Sequence, residues 1–306
     1  QPLVGFAQNR CVSDEDLLGL YAQSSSSKGL YIVDARPMAA VIGNTLMGKG
    51  IEKIKRYENT KIKLCNIGNI HVMRASLLKL VSAVRSQTNN NDGKQFLADL
   101  NSSEWLCHIH KLIKASVFVA DRVENRGCSV LVHCSDGFDR TPQLVSIAKI
   151  LLDSWYRTLK GFCILIEAEW CEFGHKFLDR NNDRNSDDFS PVFLQFLDAI
   201  HSIRATRPNH FEFNEELLLY LANAVYSGRY CNFMFNDSRQ RKKNQTKLES
   251  TQAFSNVWTH VFSNRDKFTN GNYERFNQSL WPSRSIKAVR FWKRYFYRDY
   301  PYLLDL

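Results

Sequence analysis

Cys134 and Arg140, with five residues between them, stand in the stretch Val130-Leu-Val-His-Cys-Ser-Asp-Gly-Phe-Asp-Arg-Thr141 and are the pair best equipped for chemistry. A cysteine set among the N–H groups at a helix start is favoured as the thiolate, and the same groups bind a tetrahedral oxyanion. Arg140 returns to the rim of that loop with a planar fork that grips two phosphoryl oxygens, a geometry lysine does not reproduce. The chemistry indicated is phosphoryl transfer to sulfur. Cys134 attacks phosphorus, Arg140 and the amides of the loop Ser135, Asp136, Gly137 and Phe138 bear the equatorial oxygens, and water hydrolyses a phosphocysteine. This route uses no metal and no cofactor. Thr141, or alternatively Ser135, offers a hydroxyl that steadies the sulfur as leaving group. Protonation of the departing oxygen by a general acid typically contributes about 10²- to 10⁴-fold. Asp136 and Asp139 both lie within the loop, and Asp139 is the favoured acid because it adjoins Arg140; its bland alternative is a carboxylate that braces the loop.

A cysteine and an arginine at this spacing also occur by chance, and a lone cysteine is more often inert core. The surrounding elements decide against that. Val130 to Val132 is a short β-branched run expected as a core strand ending at His133. Gly137 gives the freedom for a tight turn. Thr141-Pro142, followed by Leu144, Val145, Ile147, Ala148, Leu151 and Leu152, has helical spacing with proline in the first turn. The loop is therefore slung between a strand end and a helix start, a phosphate cradle.

The resemblance these residues carry extends beyond the loop. His-Cys-Ser-Asp-Gly-Phe-Asp-Arg-Thr, then Leu-Asp-Ser-Trp-Tyr-Arg-Thr-Leu-Lys-Gly-Phe from Leu152 and Phe173-Gly-His-Lys-Phe177, resembles the myotubularin family of phosphoinositide 3-phosphatases. The likeness runs from Gln1-Pro-Leu-Val-Gly-Phe6 through Asp34-Ala-Arg-Pro37, Asn69-Ile-His-Val-Met73 and Ser190-Pro-Val-Phe193 to Phe211-Glu-Phe-Asn-Glu215. It implies an α/β, protein-tyrosine-phosphatase-like domain: a central mixed sheet flanked by many helices, with a helix-rich C-terminal half. It implies hydrolysis of phosphatidylinositol 3-phosphate and of the 3,5-bisphosphate, with Asp139 as the acid and with Lys176 and Arg180 on the inositol phosphates. Phe138 stands where most myotubularins have tryptophan, Lys176 where arginine is common, and Ala40 where asparagine is usual. The alternatives are a protein tyrosine or dual-specificity phosphatase, and a catalytically weak adaptor; inactive myotubularins lose the cysteine or the arginine, and this chain keeps both.

The resemblance also implies a cytoplasmic protein, peripheral on endosomal membranes, with a phosphoinositide headgroup as ligand, no nucleic acid, and homo- or hetero-oligomers through regions outside this chain. Residues 1–306 are expected as a single phosphatase domain, cut from a longer protein whose N-terminal PH-like domain is absent. No Pro/Gly/Ser-rich linker or fixed repeat divides the chain. No Cys-x-x-Cys or His-Glu-x-x-His spacing indicates zinc, and no apolar run reaches the roughly 20 residues of a membrane span. The net charge of +10 asks for an acidic partner without choosing among nucleic acid, anionic lipid and phosphorylated substrate. Membrane contact from scattered cations is expected to be weak and salt-sensitive.

Elsewhere the pattern predicts a helix starting near Ser13, strands at Leu30 to Val33 and Lys63 to Ile67, and helices over Ile70 to Val84, Trp105 to Val123, Gly161 to Phe173, Glu215 to Tyr226, Trp258 to Phe262 and Ile286 to Tyr297. Ser190-Pro191 is expected to cap and open another helix. His108 and His110 point about 200° apart on theirs and share no metal. The run Arg239 to Lys243 reads as a solvated loop. Gly43 to Lys49 has the spacing of a nucleotide-binding loop, but Gly50 follows it in place of a hydroxyl and no strand immediately precedes it.

Overall fold

In the computed structural model, all residues other than 1, 3, 5–9, 47–49, 91, 184, 251–254 and 300–306 are described. The last three residues of the Gly43 to Lys49 stretch and most of Gln1 to Phe6 therefore lie outside the described residues, while 43–46 lie within a helix.

Three parallel strands form the sheet: β1 (Leu30–Asp34) at the centre, β2 (Thr60–Leu64) on one side and β3 (Ser129–His133) on the other. The described strands are all parallel, which corrects the expected mixed sheet. Each successive strand is reached by a helical crossover, α2 (Met38–Leu46) into β2 and α3 (Ile70–Asn90), α4 (Gly93–Ser103) and α5 (Trp105–Glu124) into β3, and such crossovers return the chain in the same direction. The second strand lies three residues earlier than its apolar run suggested; Cys65 and Ile67 instead continue the pairing by bonding Asp34 O and Ala35 O beyond the strand ends.

Alternation along β1 divides the core. Leu30 and Ile32 face α1 (Val12–Ser24), packing with Leu18, Ala22 and Tyr57, whereas Val33 faces the principal core built by α5 and α6 (Arg140–Leu152). The C-terminal half adds α7 (Leu159–Ile166), continued as a π-helical turn at Glu167–Glu172, then α8 (Phe177–Asn181), α9 (Val192–Thr206), α10 (Glu215–Ala224), α11 (Ser238–Ser250), α12 (Val257–Ser263), α13 (Arg265–Phe268) and α14 (Lys293–Phe296). α9 is buried along nearly its whole length and joins α6 through Gln143, whose Nε2 donates to Val192 O and Gln195 Oε1, both at 2.9 Å.

Several boundaries differ from expectation. Arg239 to Lys243 is helical, within α11, because Asp237 accepts from Gln240 N and starts the helix. Arg241 is buried there, on Glu167, Glu172 and the carbonyl of Cys171. Ile286 to Tyr297 is broken into a 3₁₀ turn at Ile286–Ala288 and the short α14. Ser190 does not cap α9; its hydroxyl donates to Ile70 O, and Pro191 occupies the cap position.

Candidate active site

The strand order reverses at β1, so the crossovers leave a crevice outside the carboxyl ends of β1 and β3, where ligands bind in open α/β sheets. Asp34 ends one strand and His133-Cys134 the other. Their link is short: Ala35 N donates to His133 O at 2.8 Å. Asp34 and Arg36 are both fully buried and joined in a bidentate pair, with Arg36 Nη2 to Asp34 Oδ2 at 2.7 Å. His133 Nδ1 donates to its neighbour's carbonyl, Cys134 O, at 3.1 Å, and its Nε2 lies 3.5 Å from buried Glu52.

Between β3 and α6 the chain curls around the sulfur. Cys134 is only 3% exposed, and its Sγ accepts from Gly137 N at 3.2 Å and from the Thr141 hydroxyl at 3.3 Å. Gly137 has φ +90°, a conformation closed to most L-residues, and in it the N–H points at the sulfur. Of the two hydroxyls expected near the sulfur, that of Thr141 is on it, while Ser135 Oγ accepts from Arg140 Nη2 at 3.0 Å. Arg140 Nη1 donates to Ile67 O at 3.1 Å, so the guanidinium is anchored at two edges, from β2's extension and from the loop itself. Ser135 and Arg140 line a cleft of about 400 Å³ whose other walls include Ala39, Gly43, Gly68 and Asn69. A larger cleft, about 710 Å³, opens at the opposite end of the strands beside Lys28, Lys61 and Arg126, far from the sulfur and the N-terminus of α6.

The loop's far side is held by the segment after the π-helical turn. Gly174, with φ +96°, ends that turn and presents His175, whose Nδ1–H donates to Phe138 O at 2.7 Å. Burial pushes the His175 imidazole below its ordinary pKa despite Asp139 3.4 Å away, so it stays neutral with Nδ1 carrying the hydrogen. Arg180 lies on α8 and takes Asp139 in a bidentate grip, Nε to Oδ1 at 3.0 Å and Nη2 to Oδ2 at 3.1 Å, while Nη1 reaches Asp188 O at 3.2 Å. Burial opposes the Arg180 charge, and the hydrogen bonds and charge of Asp139 outweigh it. Lys176, just ahead of α8, has its Nζ 3.7 Å from Asp179 and 5.0 Å from the centre of the Phe138 ring. Asp136 is exposed at the loop tip. The residues singled out from sequence thus meet at one loop: Lys176 sits over Phe138, and Arg180 lies behind Asp139.

The chain matches the model of the myotubularin-like phosphatase domain over residues 1–242. It belongs to the myotubularin-like phosphatase family. Among relatives of this myotubularin-like chain, myotubularin of Xenopus tropicalis is 38% identical across 98% of this chain and 50% of its own length. The human protein named phosphatidylinositol-3,5-bisphosphate 3-phosphatase MTMR8 is 41% identical over 95% of this chain and 41% of its own. The mouse protein named phosphatidylinositol-3-phosphate phosphatase MTMR7 is 37% identical over 94% and 47%. The chain spans about half the length of the curated relatives it matches.

Sequence reasoning missed His175, Asp188, Glu52 and the Ile67 carbonyl as supports of this loop. His175 alone had a signal, the Gly-His-Lys run immediately ahead of two cations already singled out; the others touch the site from segments with no chemical pattern of their own.

Proposed function

We propose that this chain removes the D3 phosphate of phosphatidylinositol 3-phosphate, and of the 3,5-bisphosphate, through a phosphocysteine intermediate on a protein-tyrosine-phosphatase-like domain spanning residues 1–306. The observation that carries this reading is the sulfur of Cys134 held by two donors, Gly137 N–H and the Thr141 hydroxyl, beside the doubly anchored Arg140. The names of the MTMR7 and MTMR8 relatives support the substrate.

In the first step the Cys134 sulfur attacks phosphorus in line with the inositol oxygen, the S–P bond forming as the P–O bond breaks. Arg140 and the loop amides from Ser135 to Phe138 take the charge of the equatorial oxygens. Asp139 gives its proton to the leaving oxygen; since both its oxygens face Arg180, delivery includes turning the carboxyl from that grip, and Arg180 acts by positioning the acid as well as by charge near the headgroup. Water then attacks phosphorus, Asp139 takes up its proton, and sulfur departs with the Thr141 hydroxyl donating to it. Phe138 with Lys176 above its ring, and Asp136 at the loop tip, border the headgroup. Among the described residues no helix is long and apolar enough to cross a membrane, and the proposed setting is peripheral, on endosomal membrane.

Phosphate release from a panel of short-chain phosphoinositides and phosphotyrosine peptides tests this. The 3-phosphate and 3,5-bisphosphate are expected to turn over fastest; faster turnover of phosphotyrosine than of every inositide would overturn the substrate, and no turnover of any would leave an adaptor.

A further inference from the structure

α2 forms a wall of the cleft that leads to Ser135 and Arg140, with Ala39, Ala40 and Gly43 lining it. Its nine residues, MAAVIGNTL, include no charged side chain. A surface helix ordinarily carries charged or polar residues on its solvent side. Here Val41 packs inward at 4% exposure, whereas Met38 and Ile42 are 55% and 58% exposed. Being four apart, those two lie one above the other on one side of the helix. Val72 of α3, on the same cleft, is 42% exposed.

The helix therefore puts small residues toward the cleft and leaves two long apolar side chains more than half exposed on its adjoining side. Apolar side chains grouped at the rim of a site for a lipid headgroup are suited to the headgroup–acyl boundary of a bilayer. A chain of net charge +10 is drawn to anionic lipid at long range, but that attraction is screened by salt, whereas apolar insertion is not.

We propose that α2 is a membrane-insertion element: Met38 and Ile42 enter the interfacial layer of an anionic bilayer and hold the cleft above its headgroups. The purpose of this contact rests on the phosphoinositide reading of the site, but its measurement does not. The double variant Met38→Ser/Ile42→Ser and the variant Ile42→Trp are sedimented, beside the parent chain, with phosphatidylcholine–phosphatidylserine vesicles across a salt series. At high salt the serine variant should bind about tenfold less than the parent, and the tryptophan variant more. Turnover of a short-chain, soluble 3-phosphate should be equal in all three, while turnover of the same headgroup in vesicles should follow the binding. Equal high-salt binding by parent and serine variant overturns the proposal, and so does an Ile42→Trp variant that gains none; that is the outcome expected if another protein segment covers this face. If the serine variant loses soluble turnover through misfolding, the gain by Ile42→Trp decides alone. If the parent itself turns over no soluble inositide, the enzymatic reading fails while the vesicle series still decides the role of α2.

Discussion

At the residue scale, the candidate site separates into a part built within one loop and a part imposed from outside it. Cys134, Gly137, Arg140 and Thr141 lie within eight consecutive residues, so spacing and residue type were enough to read them. Cys134→Ser should abolish turnover while a soluble inositide still binds, because an alcohol is far less ionised than a thiol at neutral pH. Arg140→Lys should reduce turnover by about 10²-fold or more, since a point charge cannot keep the fork shared among Ile67 O, Ser135 Oγ and phosphate. Both are read by phosphate release alongside isothermal titration, and retained activity in either moves the chemistry elsewhere. The partners of Asp139 were not legible, because Arg180 and His175 reach the loop across 41 and 37 residues of chain. Only folding brings them there. His175 gives a pH test of this support. Its folded pKa is lowered by burial, so well above about pH 6.5 folded and unfolded states alike hold it neutral; as pH falls through that value the unfolded chain takes up the proton first, and stability drops. His175→Asn keeps an N–H for Phe138 O without the titration. Urea unfolding at pH 7.5 and 5.5 should show a smaller acid loss for the variant than for the parent, and an equal loss would remove His175 as its source.

At the element scale, the short β-branched runs and the amphipathic helices near the site were readable from period alone, as β1, β3, α5 and α6 show. Errors fell where tertiary contact overrides pattern. In α3 the helical period puts Val72, Leu77, Leu80, Val81 and Val84 on one face, yet the buried stripe runs through Met73, Ser76, Leu80 and Val84 and leaves Val72 out in solvent, because the partner surface is the end of α4, where Ser76 Oγ donates to Ser103 O at 2.7 Å. The cations of α11 looked solvated since their acidic partners, Glu167 and Glu172, belong to a distant turn. Arg157 is the clearest such case. Fully buried, it donates to Ile150 O and Leu151 O at the end of α6 and to Phe276 O and Gln278 O of the C-terminal segment, tying that segment to the helix that carries Arg140. Arg157→Met matches its length and apolar stem but removes a donor from all four carbonyls, of which Leu151 O keeps Leu280 N at 2.7 Å, and should cost about 3 to 5 kcal/mol by chemical unfolding. Gly161, four residues on, faces a harder limit: a Cβ there would meet Trp155 O at 1.8 Å, an overlap with backbone that no rotamer relieves. Gly161→Ala should therefore prevent stable folding, visible as loss of the cooperative thermal transition; a normal transition would mean that the turn before α7 can open.

At the scale of the whole molecule, the net charge of +10 announced an acidic partner, but not where charge is taken into the core. One such place joins the two halves. Asp198 on α9 is fully buried and accepts from Trp105 Nε1 of α5 at 2.7 Å, so it couples the helix beneath the sheet to the helix-rich C-terminal half. Burial pushes its carboxyl up to about 6; the lowering by the Trp105 hydrogen bond and by His201, 4.0 Å away, does not offset it. The sign of the linkage follows. An unfolded aspartate ionises near about pH 3.9, so between roughly pH 4 and pH 6 the unfolded state has already lost a proton that the folded state keeps, and stability falls as pH rises through that window. Above about pH 6 both states are ionised and the cost is constant, on the order of 2 to 3 kcal/mol for a shift of this size. Asp198→Asn retains an oxygen for the indole N–H and has no proton to lose. Its opposing acid-side terms, from His175 and His108, are shared with the parent and cancel in the difference. Unfolding by urea should thus show the variant gaining on the parent as pH is raised from 4.5 to 6.5, and holding a constant advantage above that; a difference that does not change with pH would show that the Asp198 carboxyl is already ionised in the folded chain throughout the range.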